Sequence, residues 1–129
     1  MPVPGPVPSW MDSAMRRGDI VWARLDPAEG SEANKVRPVV IVGRDAHTQV
    51  SVRRGRGVVT VVPVTSNVTR VLPFQALLEA ELTGLDRDSK AQAEQVRSLD
   101  VARLGGVIGR VPDAGMADIE RALRVHLAL

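Results

Sequence analysis

Arg37, the run Thr65-Ser66-Asn67, and the set Glu94, Gln95 and Arg97 are the residues of this sequence best suited to chemistry. Each group falls at or near the end of an apolar run, where a rigid strand holds a side chain that still reaches solvent, a common setting for functional loops. Arginine presents five N–H donors in a fixed fork that suits phosphate, and the hydroxyls and amides beside it extend the donor array. Such a set can bind a phosphodiester and stabilise charge developing on it, often the largest catalytic term. The chain has no cysteine, so thiolate nucleophiles, thiolate metal sites and disulfides are excluded. Its two histidines, His47 and His126, stand far apart, which argues against a histidine metal centre.

Charge supports a phosphate-bearing partner. Fifteen arginines and two lysines face 15 acidic groups, a formal net charge of +2, and the sequence pI is about 9.9. Residues 16–56 carry a net of +4 and residues 57–129 a net of −1, so the basic half is the one that holds Arg37. A face of scattered, solvated arginines is the plain alternative. Arg53, Arg54 and Arg56, interleaved with Gly55 and Gly57, form the most basic segment, read either as a phosphate-contacting reversal or as a solubilising hairpin tip.

The elements that must position these groups are mostly strands. Ile20 to Leu25 and Pro38 to Val42 are short and rich in β-branched residues, which predicts paired strands joined by a polar loop. That loop carries Glu29, Ser31, Glu32, Asn34 and Lys35, more polar function than a connector requires. Val58 to Val64 is so continuously β-branched that it predicts a buried central strand, with Pro63 at its end or at a bulge. Thr65 and Ser66 then stand at its mouth, either facing a ligand or satisfying a local turn. Gly43 to Thr48 reads as a turn, and Gln49 to Arg53 as a short strand or part of a long loop.

Val71 to Leu78 is another apolar run, and Leu85 to Asp88 a turn. Ser89 to Ser98 is ambiguous. Alanine, glutamate and glutamine favour helix there, yet small residues at 89, 91 and 93 alternate with longer polar ones, as on a two-faced strand. Asp100 to Leu104 reads as a short turn capped by Asp100, and Gly105 to Val111 as a final strand. Met116, Ile119, Leu123 and Leu127 form a helical apolar stripe after Pro112-Asp113, predicting a packing helix.

The length of 129 residues and 44% hydrophobic content suit one domain at residues 15–129. Residues 1–14 hold four prolines and read as a flexible tail without signal-peptide features. No apolar stretch reaches membrane-spanning length, and the expectation is a soluble, cytoplasmic protein.

Six separated blocks give the sequence a further meaning. Arg17-Gly18-Asp19-Ile20-Val21-Trp22, Leu25-Asp26-Pro27, Gly30-Ser31-Glu32, Arg37-Pro38-Val39-Val40, Val62-Pro63-Val64-Thr65-Ser66 and Ala93-Glu94-Gln95-Val96-Arg97-Ser98 occur in the order and spacing of the MazF/PemK toxin endoribonucleases. The chain closely resembles that family from Met15 to about Leu127. The resemblance implies a mainly β, α+β fold, an SH3-like antiparallel barrel with short helices and a C-terminal packing helix. It implies a homodimer that cleaves single-stranded RNA (mRNA, tRNA or rRNA) without metal or other cofactor, and a MazE-like antitoxin that covers the RNA groove. A gyrase-inhibiting toxin of the CcdB kind, which resembles the same fold, and a non-catalytic RNA-binding module are the alternatives.

By the same resemblance Arg37 and Thr65 inherit the catalytic pair, with Glu32 the nearest candidate base. Ser31, Asn34, Lys35, Arg53, Arg54, Arg56, Ser66, Asn67, Glu94, Gln95 and Arg97 are the expected RNA-binding residues, and Glu29 to Lys35 becomes a substrate-covering flap. The segment around Glu94 to Arg97 is expected as strand. Some relatives carry histidine just before the arginine, where this chain has Val36, so no role of that histidine transfers.

Overall fold

A computed structural model describes residues 15–25 and 36–129. Among these residues seven strands run β1 Asp19–Arg24, β2 Val36–Ile41, β3 Val58–Thr65, β4 Gln75–Leu78, β5 Ser89–Gln92, β6 Arg97–Asp100 and β7 Leu104–Arg110. They form one sheet in the order β4-β5-β3-β2-β1-β7, with β6 also pairing β3, and every pair is antiparallel. Among the described residues the helices are α1 Asp45–Arg54, α2 Ala80–Thr83 and α3 Asp113–Leu127. The mainly β fold with a C-terminal helix is thus present. Among the described residues no helix is long and apolar enough to cross a membrane. The expectations for residues 1–14, and for Glu29, Ser31, Glu32, Asn34 and Lys35, lie outside the described residues.

The central strands are apolar throughout because both faces of the sheet are covered. Val21, Val39, Ile41, Val59 and Val61 join one cluster, closed by Val52 of α1 and by Leu99 and Val101. The alternate residues Ile20, Val40, Val62 and Val64 join the other, closed by Met116 and Ile119 of α3. The α3 stripe is shifted from its expected course: Ala122 is buried whereas Leu127 is 48% exposed.

Three local expectations are corrected. Residues 45–54 are helix, not turn and strand. Thr48, Ser51 and Val52 recur at three and four residues and are the buried ones, so packing against the sheet overrides the β-branched preference of Thr48 and Val52. Asp45 in the first turn, Arg53 and Arg54 in the last, and left-handed Gly55 at the C-cap (φ 65°) complete the helix.

The segment 89–98 is two strands around a 3₁₀ turn at Ala93–Gln95, so Glu94 and Gln95 are not in a strand. The register explains the interruption. Extending the Val64–Ala91 pairing along β3 would set Val61 opposite Glu94, but Val61 faces Arg97, three residues on. The 3₁₀ turn accommodates those three residues, and buried Ala93 anchors it.

Pro63 lies inside β3, opposite Val39, and neither ends the strand nor makes a bulge. On the other edge β6 pairs residues 58–61 and β5 pairs residues 64–65. Proline therefore occupies the stretch where that edge has no strand to bond, and its missing N–H leaves no gap in either ladder.

Candidate functional site

A groove of about 560 Å³ opens where the end of β3 meets β1, β2 and β7. Trp22 and Pro38, cross-strand partners on β1 and β2, line it together with Arg37. The end of β3 contributes Val64 and Thr65, followed by Ser66. A third wall is the connection from α2 to β5, Gly84 to Arg87 with Ser89, and the fourth is Ile108 of β7.

Backbone irregularities build two of these walls. Between the pairs Ile20–Gly109 and Val21–Val107, Ile108 has no β1 partner; the bulge turns its side chain towards the groove while it still packs on the second core cluster. Gly84 ends α2 in the left-handed region (φ 85°), which lets the chain reverse into the groove wall. A Cβ on Gly109 would collide with the Thr83 carbonyl oxygen, so this glycine permits α2 to lie against β7.

Thr65 is held by its own turn. Its Oγ1 accepts the Asn67 N–H at 3.3 Å, and Asn67 Oδ1 accepts the Thr69 N–H at 3.2 Å. The hydroxyl proton of Thr65 is not used by that bond and can be donated into the groove. Farther along the same loop, buried Lys90 donates from Nζ to the Arg70 carbonyl at 2.6 Å, and Gln75 Oε1 accepts the Leu72 N–H at 3.0 Å. Arg37 is half-buried on β2 opposite Ala23, and among the described residues its guanidinium has no hydrogen-bond partner.

The structure therefore brings Arg37, Thr65 and Ser66 together, although 28 positions separate the first two in sequence. Asn67 supports the turn and does not line the groove. Arg53 and Arg54 stand in the last turn of α1 with Arg56 just beyond, outside the lining. Glu94 is also elsewhere: its Oε2 accepts Gln75 Nε2 at 2.6 Å. Gln95 is exposed on the 3₁₀ turn, and Arg97 sits on β6 opposite Val61.

Sequence reasoning missed Trp22, Asp86, Arg87, Ser89 and Ile108. Trp22 is 42% exposed, and the available signal was its alternation with Arg24 along β1, which sets the two on the same side of the strand. Asp86 is the one carboxylate among the described groove residues, and Arg87 adds a second guanidinium. The groove thus combines phosphate donors with a shelf of Trp22, Pro38, Val64, Leu85 and Ile108 on which flat apolar groups can rest.

Comparison with known proteins agrees with this geometry. Residues 16–127 match the family model described as PemK-like, MazF-like toxin of type II toxin–antitoxin systems. The chain is 56% identical over 115 residues to endoribonuclease MazF9 of Mycobacterium tuberculosis, covering 89% of this chain and 98% of that protein. Its fold is similar to the M. tuberculosis toxin MazF-mt6 (TM-score 0.68, 27% identity, 86% of this chain and 97% of the other). It is similar also to MazF in a MazE–MazF crystal structure from Deinococcus radiodurans (TM-score 0.71, 27% identity, 88% and 96%). On the match along nearly its whole described length and the identity to MazF9, the chain belongs to the PemK-like, MazF-like family of type II toxins.

Proposed function

We propose that the groove is where this toxin of the endoribonuclease family binds single-stranded RNA and cuts it at a short sequence, without a metal ion. The observation that carries the reading is the lining of one groove by both Arg37 and Thr65, the two residues matched to the family's RPV and VTS blocks. The ribose 2′-oxygen attacks the adjacent phosphorus as its proton leaves to a base. The bond from phosphorus to the 5′-oxygen breaks, that oxygen takes up a proton, and the products end in 2′,3′-cyclic phosphate and 5′-hydroxyl. DNA, lacking the 2′-hydroxyl, is not cut.

In this mechanism Arg37 neutralises charge on the phosphorane. A guanidinium carries donors and no acceptor, which makes it a poor base, so its share in proton transfer is a relay through water. Thr65 donates its hydroxyl proton to a non-bridging oxygen. Glu32 is the proposed base. Trp22 and Ile108 supply surfaces for the bases on either side of the cut.

By the same reading the protein works in the cytoplasm as a homodimer, and a MazE-like antitoxin silences it by laying an extended segment in the groove. Cleavage of message RNA then stops translation and growth. The test is a long single-stranded RNA incubated with purified protein in EDTA. Cleavage leaving 5′-hydroxyl ends is expected, and Arg37→Ala is expected to lose about 10²–10³-fold in kcat while remaining folded. Undiminished cutting by that variant overturns the assignment.

A further inference from the structure

Thr65 ends β3, and the chain then runs from residue 66 to residue 74 without helix or strand before β4 begins. Within that loop the Asn67 N–H donates to Thr65 Oγ1 and the Thr69 N–H donates to Asn67 Oδ1, both of them bonds between near neighbours in sequence. Among the described residues one hydrogen bond joins residues 66–71 to another element: Lys90 Nζ donates to the Arg70 carbonyl at 2.6 Å. The ties from Leu72 to Gln75 and from Pro73 to Arg121 come later in the loop.

Lys90 is also the residue of β5 directly opposite Thr65. Opposed residues project to the same face with Cβ atoms about 5 Å apart. The neighbouring pair, Val64 and Ala91, faces the second core cluster, so Thr65 and Lys90 face the other way. The bonds therefore close a ring. It runs from Thr65 across the ladder to Lys90, from the ammonium to Arg70, and back through Thr69 and Asn67 to the Thr65 hydroxyl. Lys90 is 9% exposed, and an ammonium at that depth costs free energy unless it is paired. Among the described residues the ion pairs are Arg17–Glu120 and Arg110–Asp19, so no carboxylate holds Lys90 and the Arg70 carbonyl is its acceptor. Thr65 lines the groove and Lys90 does not.

We propose that Lys90 is a positioning residue for Thr65: by holding the Arg70 carbonyl it fixes the loop that sets the direction of the Thr65 hydroxyl. The inference rests on the reading of the groove as a site of RNA cleavage. Lys90 acts through Thr65 and touches no reacting atom, so its loss lowers kcat and leaves KM in place. Once the Thr65 hydroxyl is removed, Lys90 has nothing left to position.

The test uses the whole chain and Lys90→Met, which keeps the unbranched stem and removes the donor. Backbone amide NMR relaxation is expected to show order parameters at Asn67 and Thr69 falling from about 0.85 to below about 0.6, with β3 and β5 unchanged. In steady-state cleavage of one RNA oligonucleotide, kcat is expected to fall about tenfold at unchanged KM, since even a small misplacement of a reacting group is costly. Lys90→Arg, which retains a donor able to reach Arg70, is expected to recover most of the rate. In a Thr65→Val background, Lys90→Met is expected to change the rate by less than about twofold, because residues that act through one group are not additive. A lysine that merely supports the fold would lower the rate by the same factor in both backgrounds. That result overturns the proposal, as do order parameters that stay at the rigid value. If Lys90→Met is unfolded at the assay temperature, the same comparisons are made with Lys90→Gln, which is one bond too short to hold Arg70 in the same way. If the unaltered protein cuts no RNA, the reading of the groove falls and takes this inference with it; if it cuts and Lys90→Met cuts equally well, the positioning role alone falls.

Discussion

At the residue scale the groove turns on which proton Thr65 has left to give. A non-bridging phosphate oxygen can only accept, so the O–H alone can serve it, and the bond that the Thr65 oxygen accepts from the Asn67 N–H leaves that proton unused. Thr65→Ser retains both functions and is expected to cut RNA within a few-fold of the unaltered rate. Thr65→Val retains the shape and loses both, with an expected fall of about 10²-fold in kcat; single-turnover cleavage of one oligonucleotide by both variants checks it, and equal rates would exclude the hydroxyl from the chemistry. Arg37 and Thr65 were legible in the sequence because each adjoins a run whose β-branched pattern is unmistakable. Ile108 was not, since its entry into the groove depends on a bulge between β1 and β7, and a bulge is a property of the pair of strands.

At the element scale the same distinction recurs. β1, β2 and β3 announce themselves because both their faces are buried, whereas α1 contains Val50 and Val52 and reads locally as extended. Only packing on the sheet selects its helical face. The turn at Ala93–Gln95 was equally hidden, because the three residues it accommodates are defined by the register of β5 and β6 on β3. The wall from Gly84 to Arg87 depends on another tertiary feature of this kind, the approach of Thr83 to Gly109. Gly109→Ala forces α2 away from β7. The expected cost is about 1–3 kcal/mol by thermal unfolding, as for other overpacked sites, with KM for RNA raised because the wall moves with α2. A normal KM in a destabilised variant would show that the wall is held independently of α2.

For the molecule as a whole, the two core clusters differ in what they support. Val64, Leu85 and Ile108 line the groove and also belong to, or pack on, the cluster closed by α3. The cluster closed by α1 contains none of the groove's lining residues. Two deletions of similar size separate the consequences. Ile119→Ala on the α3 side and Leu99→Ala on the α1 side each remove a side chain buried to 2% exposure or less, and each is expected to cost about 2–5 kcal/mol. At a temperature where both remain folded, only Ile119→Ala should raise KM for RNA, because the space it opens belongs to the cluster that Val64 joins and on which Leu85 and Ile108 pack, and those three residues line the groove. Leu99→Ala should lower the melting temperature alone. Denaturation curves and steady-state cleavage on the same preparations decide the matter: equal changes in KM would mean that the groove senses global stability, whereas a change confined to Ile119→Ala makes α3 the support on which the groove is held open.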